Sequence, residues 1–278
     1  MRFALLAFIV VMATAGVVRA QSWADDPVWH DGLVEKATYA ASRVVYDKPR
    51  AYEAIFFTNK EQHDTRTLTK AQKSGETIEV WKLNQVEVIP TPNYDYKYVT
   101  TAHHTVQGLV LTRLDCGSQE FCGTSFKQYQ SRLSDVRSDS RSWDYFGFSY
   151  MPEAGRVSAV VRDGGGRGGR GVVPFNSLPL WLRDFDFAKR EPVKFLMLPD
   201  QKSNRATPHE PVDAEVRYGG EEGDAYKLEL HAGGKLAGTY WMAKDPKRLH
   251  IMTKYRGAEG QQYDLKSLER VNYWTVRE

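Results

Sequence analysis

Apolar and polar residues alternate with period two along much of this chain, the pattern of β-strands with one buried face. The alternation is clearest over Thr77–Ile89, where Ile78 and Val80 are set against Glu79 and Lys82, and Val86 and Val88 against Glu87. Tyr94-Asp95-Tyr96-Lys97-Tyr98 alternates aromatic and charged residues in the same way. Further strands are predicted at Thr105–Leu114, Gly123–Arg132, Ser142–Met151 and Arg156–Val161. Glu35–Tyr46 and Arg50–Thr58 read as a hairpin about Asp47-Lys48-Pro49, and Gly117-Ser118-Gln119-Glu120 as the loop of another. Nearer the C-terminus, Val212–Tyr218, Ala225–His231, Lys235–Ala243, Arg248–Lys254 and Tyr263–Val276 are separated by short Gly- or Pro-bearing turns, an antiparallel meander. A helical period occurs once. Leu178, Trp181, Leu182 and Phe185 share one face after a Ser177 cap and Pro179, and the helix is predicted to end before Pro192.

One helix against many strands predicts a mainly β fold: a curved antiparallel sheet or half-open barrel packed on one or two helices. The chain divides into a first β-rich half (21–162), a Gly-rich loop (163–174) and a helix-plus-meander half (175–278). Gln21–Asp31 reads as a poorly fixed lead-in. The run Gly164–Gly171 suggests a phosphate cradle, but Gly171-Val172-Val173 lacks the Gly-Lys-Ser/Thr ending of a P-loop, so a flexible connection is expected and no nucleotide cofactor.

The first twenty residues change the picture. Met1-Arg2 precedes an apolar run, Ala4–Gly16, and Val18 and Ala20 sit at the −3 and −1 positions of a signal-peptidase site before Gln21. Arg19 cuts the run short of the roughly 20 apolar residues that a membrane span needs. Residues 1–20 therefore read as a cleavable signal peptide, predicting a periplasmic or extracellular protein with no stable membrane anchor. Without Arg2 and Arg19, the 38 basic side chains fall to 36 against 35 acidic ones, a net of +1 that gives no reason to expect nucleic acid as a partner. In an oxidising compartment Cys116 and Cys122 are expected to form a structural disulfide. Its seven-residue ring is worth about 2–2.5 kcal/mol.

Signatures of catalysis are missing. There is no G-x-S-x-G and no H-E-x-x-H. His30, His63, His103, His104, His209, His231 and His250 show no zinc-site spacing, and His103 and His104 point to opposite faces of a strand, so no metal site is expected. The candidate ligand-binding residues are Lys82, Asn84, Tyr94, Tyr96, Gln119 and Glu120, polar and aromatic side chains near strand ends. The same residues can equally form a structural hydrogen-bond network.

These segments resemble a family of secreted bacterial proteins of unknown function, whose members carry a Lys-Leu-Asn, a Tyr-x-Tyr and a Ser-x-Gln-Glu-Trp-Cys-Gly run in that order. The corresponding residues here are Lys82-Leu83-Asn84, Tyr94-Asp95-Tyr96 and Ser118-Gln119-Glu120-Phe121-Cys122-Gly123. Phe121 replaces the usual Trp, and Cys116 adds a thiol, so the resemblance implies a role for Cys122 other than bridging. In the second half, Thr239-Tyr240-Trp241-Met242-Ala243 and the strand after Asp245-Pro246 resemble exported β-rich proteins built like periplasmic lipoprotein carriers. That likeness implies a curved sheet wrapped on a helix, with an apolar ligand on its concave face. The leading expectation is thus an exported, non-catalytic envelope protein binding a lipid-like or other amphiphilic small molecule. The alternatives are a secreted hydrolase working around Lys82, Tyr94 and Glu120, and a structural or interaction module.

Overall fold

The computed structural model describes residues 23–71, 75–131, 142–152, 155–162, 172–272 and 274. The expected signal segment and the run Gly164–Gly171 lie outside them. Fifteen strands join in one sheet. They are β1 (Val34–Val45), β2 (Lys48–Asp64), β3 (Thr77–Ile89), β4 (Tyr96–Thr105), β5 (Leu111–Glu120), β6 (Gly123–Ser131), β7 (Ser142–Phe148), β8 (Arg156–Arg162), β9 (Val172–Pro174), β10 (Val193–Leu198), β11 (Val212–Glu222), β12 (Ala225–Ala232), β13 (Lys235–Ala243), β14 (Met252–Gly257) and β15 (Gln262–Val271). Among the described residues no helix is long and apolar enough to cross a membrane.

The spatial order starts at β8, descends to β1, and continues through β15 down to β9. The two predicted halves are therefore two wings of one sheet, joined where β1 pairs with β15. Neighbours in sequence are neighbours in space, so antiparallel hairpins build each wing; among the described residues only β9 and β10 pair in parallel. The turns follow backbone chemistry. Tyr46-Asp47 and Gly233-Gly234 both have positive φ at two successive residues, the geometry of a tight two-residue hairpin.

The sheet is curved and open, and its inner face wraps around the chain's own middle segment, as expected for a curved sheet packed on short helices. The predicted helix is one turn, α1 (Leu178–Trp181), flanked by 3-10 turns at Phe175–Ser177 and Leu182–Asp184. It stops early because Phe185 is extended (ψ 133°). Even so, Leu178, Trp181, Leu182 and Phe185 are all buried: the apolar spacing located the right face, carried by a shorter element. A large cluster joins these residues to Tyr39, Phe56, Trp81, Leu228 and Tyr255. A smaller one packs Val172 and Leu198 of the middle segment against Leu114, Tyr129, Trp143 and Tyr145.

Three expectations are corrected here. The lead-in is anchored: Trp23 stacks on Trp81 with centroids 4.7 Å apart, Trp29 meets Trp81 edge-on, and the Trp29 indole N–H donates to the Trp23 carbonyl at 2.8 Å. Two large buried indoles offset the entropy of ordering that segment. Gly117–Glu120 is strand, and the hairpin turns at Phe121-Cys122, with Gly123 at φ 149°. Val172–Pro174, assigned to the Gly-rich loop, is a strand paired in parallel with β10, and its three side chains are buried, Val172 against the first wing and Val173 in the large cluster.

Candidate functional site

Strand register sorts the first wing into two faces. On the inner face lie Trp81, Glu87, Cys116, Lys127 and Tyr129, all buried. Across the outer face run rows of directly paired residues. Ile55, Val86, Val99, Gly117, Phe126 and Phe148 form one row across β2–β7. Asn59, Lys82, His103, Arg113, Gln130 and Asp144 form another. On β4 the rows are four residues apart, about 13 Å.

The structure brings only some of the predicted site residues together. Lys82 and Asn84 are on the outer face, where the Thr101 hydroxyl donates to Asn84 Oδ1 at 3.3 Å. Gln119 also faces outward, but its row contains Lys97 and Val88, six residues along β3 from Lys82, or about 20 Å. Glu120 points inward and accepts hydrogen bonds from Ser118 (3.1 Å), Asn204 (3.0 Å) and Tyr150 (3.3 Å). Tyr94 and Tyr96 sit at the strand ends. The Tyr94 ring stacks on Phe121, and the Tyr96 and Tyr46 hydroxyls are hydrogen-bonded to each other. Lys82 thus lies apart, whereas Tyr94, Tyr96 and Glu120 share one end of the sheet, where the Glu120 charge helps to raise both phenols.

The expected disulfide is not formed: Cys116 and Cys122 are both free thiols. Cys116 lies four residues before the end of β5, about 13 Å along the strand, and Cys122 is in the turn beyond. A bridge needs Cα atoms within about 7 Å. Cys116 is buried, contacts the Gln201 carbonyl at 3.3 Å and accepts from Thr100 at 3.4 Å. Burial pushes its thiol above the ordinary value. Cys122 is exposed and hydrogen-bonds the Tyr94 hydroxyl at 2.8 Å. That bond, followed by burial, pushes the Tyr94 phenol up to about 12.

The middle of the concave face, which was expected to hold a ligand, is filled by the chain itself. The space there between Gln85, Asn176, Lys202, Tyr240, Tyr255 and Tyr263 is about 10 Å³, at most room for one water, while toward the β1–β15 seam a space of about 400 Å³ opens beside Trp29, Glu35, Leu268 and Arg270. A larger space lies on the outer face. A groove of about 550 Å³ runs over Gly117, lined by Lys97, Val99, Gln119, Phe126 and Phe148. Val99 is 46% exposed and Phe148 36%. The Phe126 and Phe148 rings form one wall, with centroids 6.0 Å apart. Gly117 shapes the floor: having no side chain, it leaves a trough in the middle of an apolar row.

At the other end of this face lies a buried cluster not foreseen from the sequence. Glu61 and His63 are two apart on β2 and so share a face, and register brings His103 and Lys82 to the same place. Glu61 Oε1 lies 2.9 Å from His63 Nε2 and 3.2 Å from His103 Nε2, and Lys82 Nζ is 3.6 Å from Glu61 Oε2. Residues beyond β2 cover the cluster. Ala71 N–H donates back to the Gln62 carbonyl (2.8 Å), and the Gln130 amide donates to the Thr67 carbonyl (3.2 Å), tying the lap down. Burial alone would raise the Glu61 carboxyl. Hydrogen bonds from His103 and His63 and the charge of Lys82 outweigh it and hold the group far below the usual carboxylate range. Burial lowers His103 despite its bond to Glu61, with His63 and Lys82 adding to the effect. As expected, His104 points to the opposite face, where it contacts the Leu109 carbonyl at 2.9 Å.

Comparison of the chain with protein-family models, with curated proteins and with solved structures gives no match. The functional reading therefore rests on these two outer-face features.

Proposed function

We propose that this protein is an exported binding protein for an anionic amphiphile, whose acyl chain lies in the outer-face groove over Gly117. The observation that carries this is the apolar row Val86–Val99–Gly117–Phe126–Phe148. An antiparallel sheet with one solvated face ordinarily sets polar residues there. This row is apolar instead, and it is hollowed at its centre. A volume of about 550 Å³ is in the range of small-molecule sites. Lys97 at the groove and Arg156, paired with Phe148 at the end of the row, supply positive charge for a carboxylate or phosphate head. The aromatic patch of Tyr94 and Phe121, whose ring is 86% exposed, lies two residues beyond Gln119 and gives an apolar approach to the groove. The signal-like residues 1–20 fit such a role outside the cytoplasm.

Titration with a fluorescent fatty acid, cis-parinaric acid, tests the proposal. Wild type is expected to saturate at one equivalent. Gly117→Ile is the discriminating variant. A Cβ at Gly117 meets Phe126 at 3.8 Å, an ordinary contact, and the position does not have the positive φ that would demand glycine. Isoleucine therefore fits the strand and fills the trough. Binding is expected to weaken at least about tenfold, some 1.4 kcal/mol, with the unfolding midpoint held or raised. Equal binding by the two proteins overturns the assignment of the groove.

A further inference from the structure

The geometry points to a second site: Glu61, His63 and His103 form a binding site for a divalent transition-metal ion of the Zn²⁺ class, with the Lys82 ammonium occupying the cationic position when the metal is absent. The two sites lie about 13 Å apart along β4, and this inference does not depend on the groove.

Three observations carry it. The ligand atoms of Glu61, His63 and His103 all lie within 4.8 Å of one another. Zinc bonds of about 2.0–2.1 Å in a tetrahedral site place neighbouring donors about 3.3 Å apart. The separations from Glu61 Oε1 to the two imidazoles, 2.9 and 3.2 Å, need only small adjustment to reach that spacing. Both histidines present the same atom, Nε2, to the shared carboxylate oxygen, and their rings are 4.5 Å apart. Two imidazoles and one carboxylate form a donor set suited to zinc and to neighbouring first-row ions, with a fourth position left for water or substrate.

The second observation is how the cluster is buried. Relative exposure is 2% for His63 and 7% for His103. Among the described residues, Nδ1 of each ring has no hydrogen-bond partner. A network serving only stability would be expected to close on itself, because each unpaired buried polar atom costs about 1–3 kcal/mol. The same gap sets the strength of the site. Imidazoles bound to metal usually donate their second N–H to an outer carboxylate or carbonyl, and losing such a partner typically costs 10–100-fold in affinity. The site is therefore weaker by that factor than one with a complete outer shell.

The third observation is Lys82. Its side chain keeps 20% exposure while its ammonium lies 3.6 Å from Glu61 Oε2. It can balance the carboxylate in the metal-free protein and swing toward solvent when a dication arrives.

The experiment uses untagged, chelator-treated protein, titrated with Zn²⁺ against a chromophoric competitor and with Co²⁺ followed by its visible absorption. Wild type is expected to bind one equivalent and to give the intense Co²⁺ bands of a four- or five-coordinate site. His63→Ala and His103→Ala are each expected to weaken binding at least about tenfold and to abolish those bands. Lys82→Met removes no ligand. It is expected to tighten Zn²⁺ binding severalfold, whereas a purely structural network would show only lost stability. Absence of one-equivalent binding by wild type, or unchanged affinity in both histidine variants, overturns the site. Weaker binding by Lys82→Met overturns the role given to the lysine.

Discussion

Two buried carboxylates on neighbouring strands of one sheet have opposite surroundings. Glu87, on the inner face of β3, has both oxygens taken. Lys202 (2.7 Å) and Tyr263 (3.0 Å) bind Oε1, and Tyr52 (2.7 Å) binds Oε2. Burial opposes the charge on Lys202, but Asp200 and Glu87 outweigh it and hold the ammonium above its ordinary value. Glu61, on the outer face of β2, shares one oxygen between two histidines that each leave a buried nitrogen without a hydrogen-bond partner among the described residues. The Glu87 network ties the middle segment to the sheet and is closed. The Glu61 network is open on the side of its histidines and lies near a partly exposed lysine. A closed buried network specifies structure; an open one has bonding capacity left for a ligand.

The largest expected effect separates the two by stability. Lys202→Met leaves Glu87 charged at 1% exposure, and breaking a buried pair in this way costs about 3–5 kcal/mol. Glu61→Gln keeps a polar group beside both histidines and is expected to cost on the order of 1 kcal/mol. Urea unfolding of the two variants measures both. Equal losses would make Glu61 part of the frame and end the comparison.

Next in size is an alkaline transition belonging to the inner face. Burial pushes the Tyr129 hydroxyl up to about 12 and raises Tyr39, Tyr145 and Tyr263 as well. The unfolded chain loses these protons near pH 10 while the folded protein keeps them. Their contribution is complete below pH 10 and is lost as pH rises toward the folded values. For Tyr129 alone this is about 3 kcal/mol between pH 10 and 12. Tyrosinate absorbance is expected to rise in two stages, exposed phenols first and buried ones only with unfolding. A single smooth titration near pH 10, with the fold intact, contradicts the burial of these tyrosines.

The smallest perturbation is chemical labelling. Iodoacetamide is expected to modify Cys122 in the native protein and to reach Cys116 only in denaturant, because the buried thiol is both covered and kept protonated. Native mass spectrometry counts the adducts. Two adducts under native conditions would show that the middle segment opens readily.

Much of the fold was legible in the sequence because it rests on local rules. Alternation over Thr77–Ile89 coincides with β3, and the predicted strand at Lys235–Ala243 with β13. The errors fall where tertiary burial outweighed local preference. Val193–Leu198, for which the sequence predicted no element, is a strand because it packs beside β9 and β11, and Gly117–Glu120 stays extended because β4 and β6 pair on either side of it. The site was less legible. Lys82, Asn84 and Gln119 were singled out by residue type, and the sheet sends them to separate rows. Glu61-x-His63 carried a usable signal, two ligand-type residues on one face of a strand. Its completion by His103 depends on the register of three strands, and alternation alone does not set that register. The groove was hidden for a related reason: Gly117 looked like a loop residue, when it is a gap in a row of large side chains.

The pairing of β1 with β15 joins parts of the chain more than two hundred residues apart; the Tyr39 hydroxyl, for instance, donates to the Met252 carbonyl at 2.9 Å. While the chain is being made, β1 can pair with β2 at once, but its other edge stays bare until Gln262–Val271 has emerged. Such long-range closure slows folding, and an uncovered strand edge invites pairing with a neighbouring molecule in the meantime. Completion of this sheet waits until Gln262–Val271 has been made. Until then the free edge of β1 is the part of the sheet most exposed to aggregation.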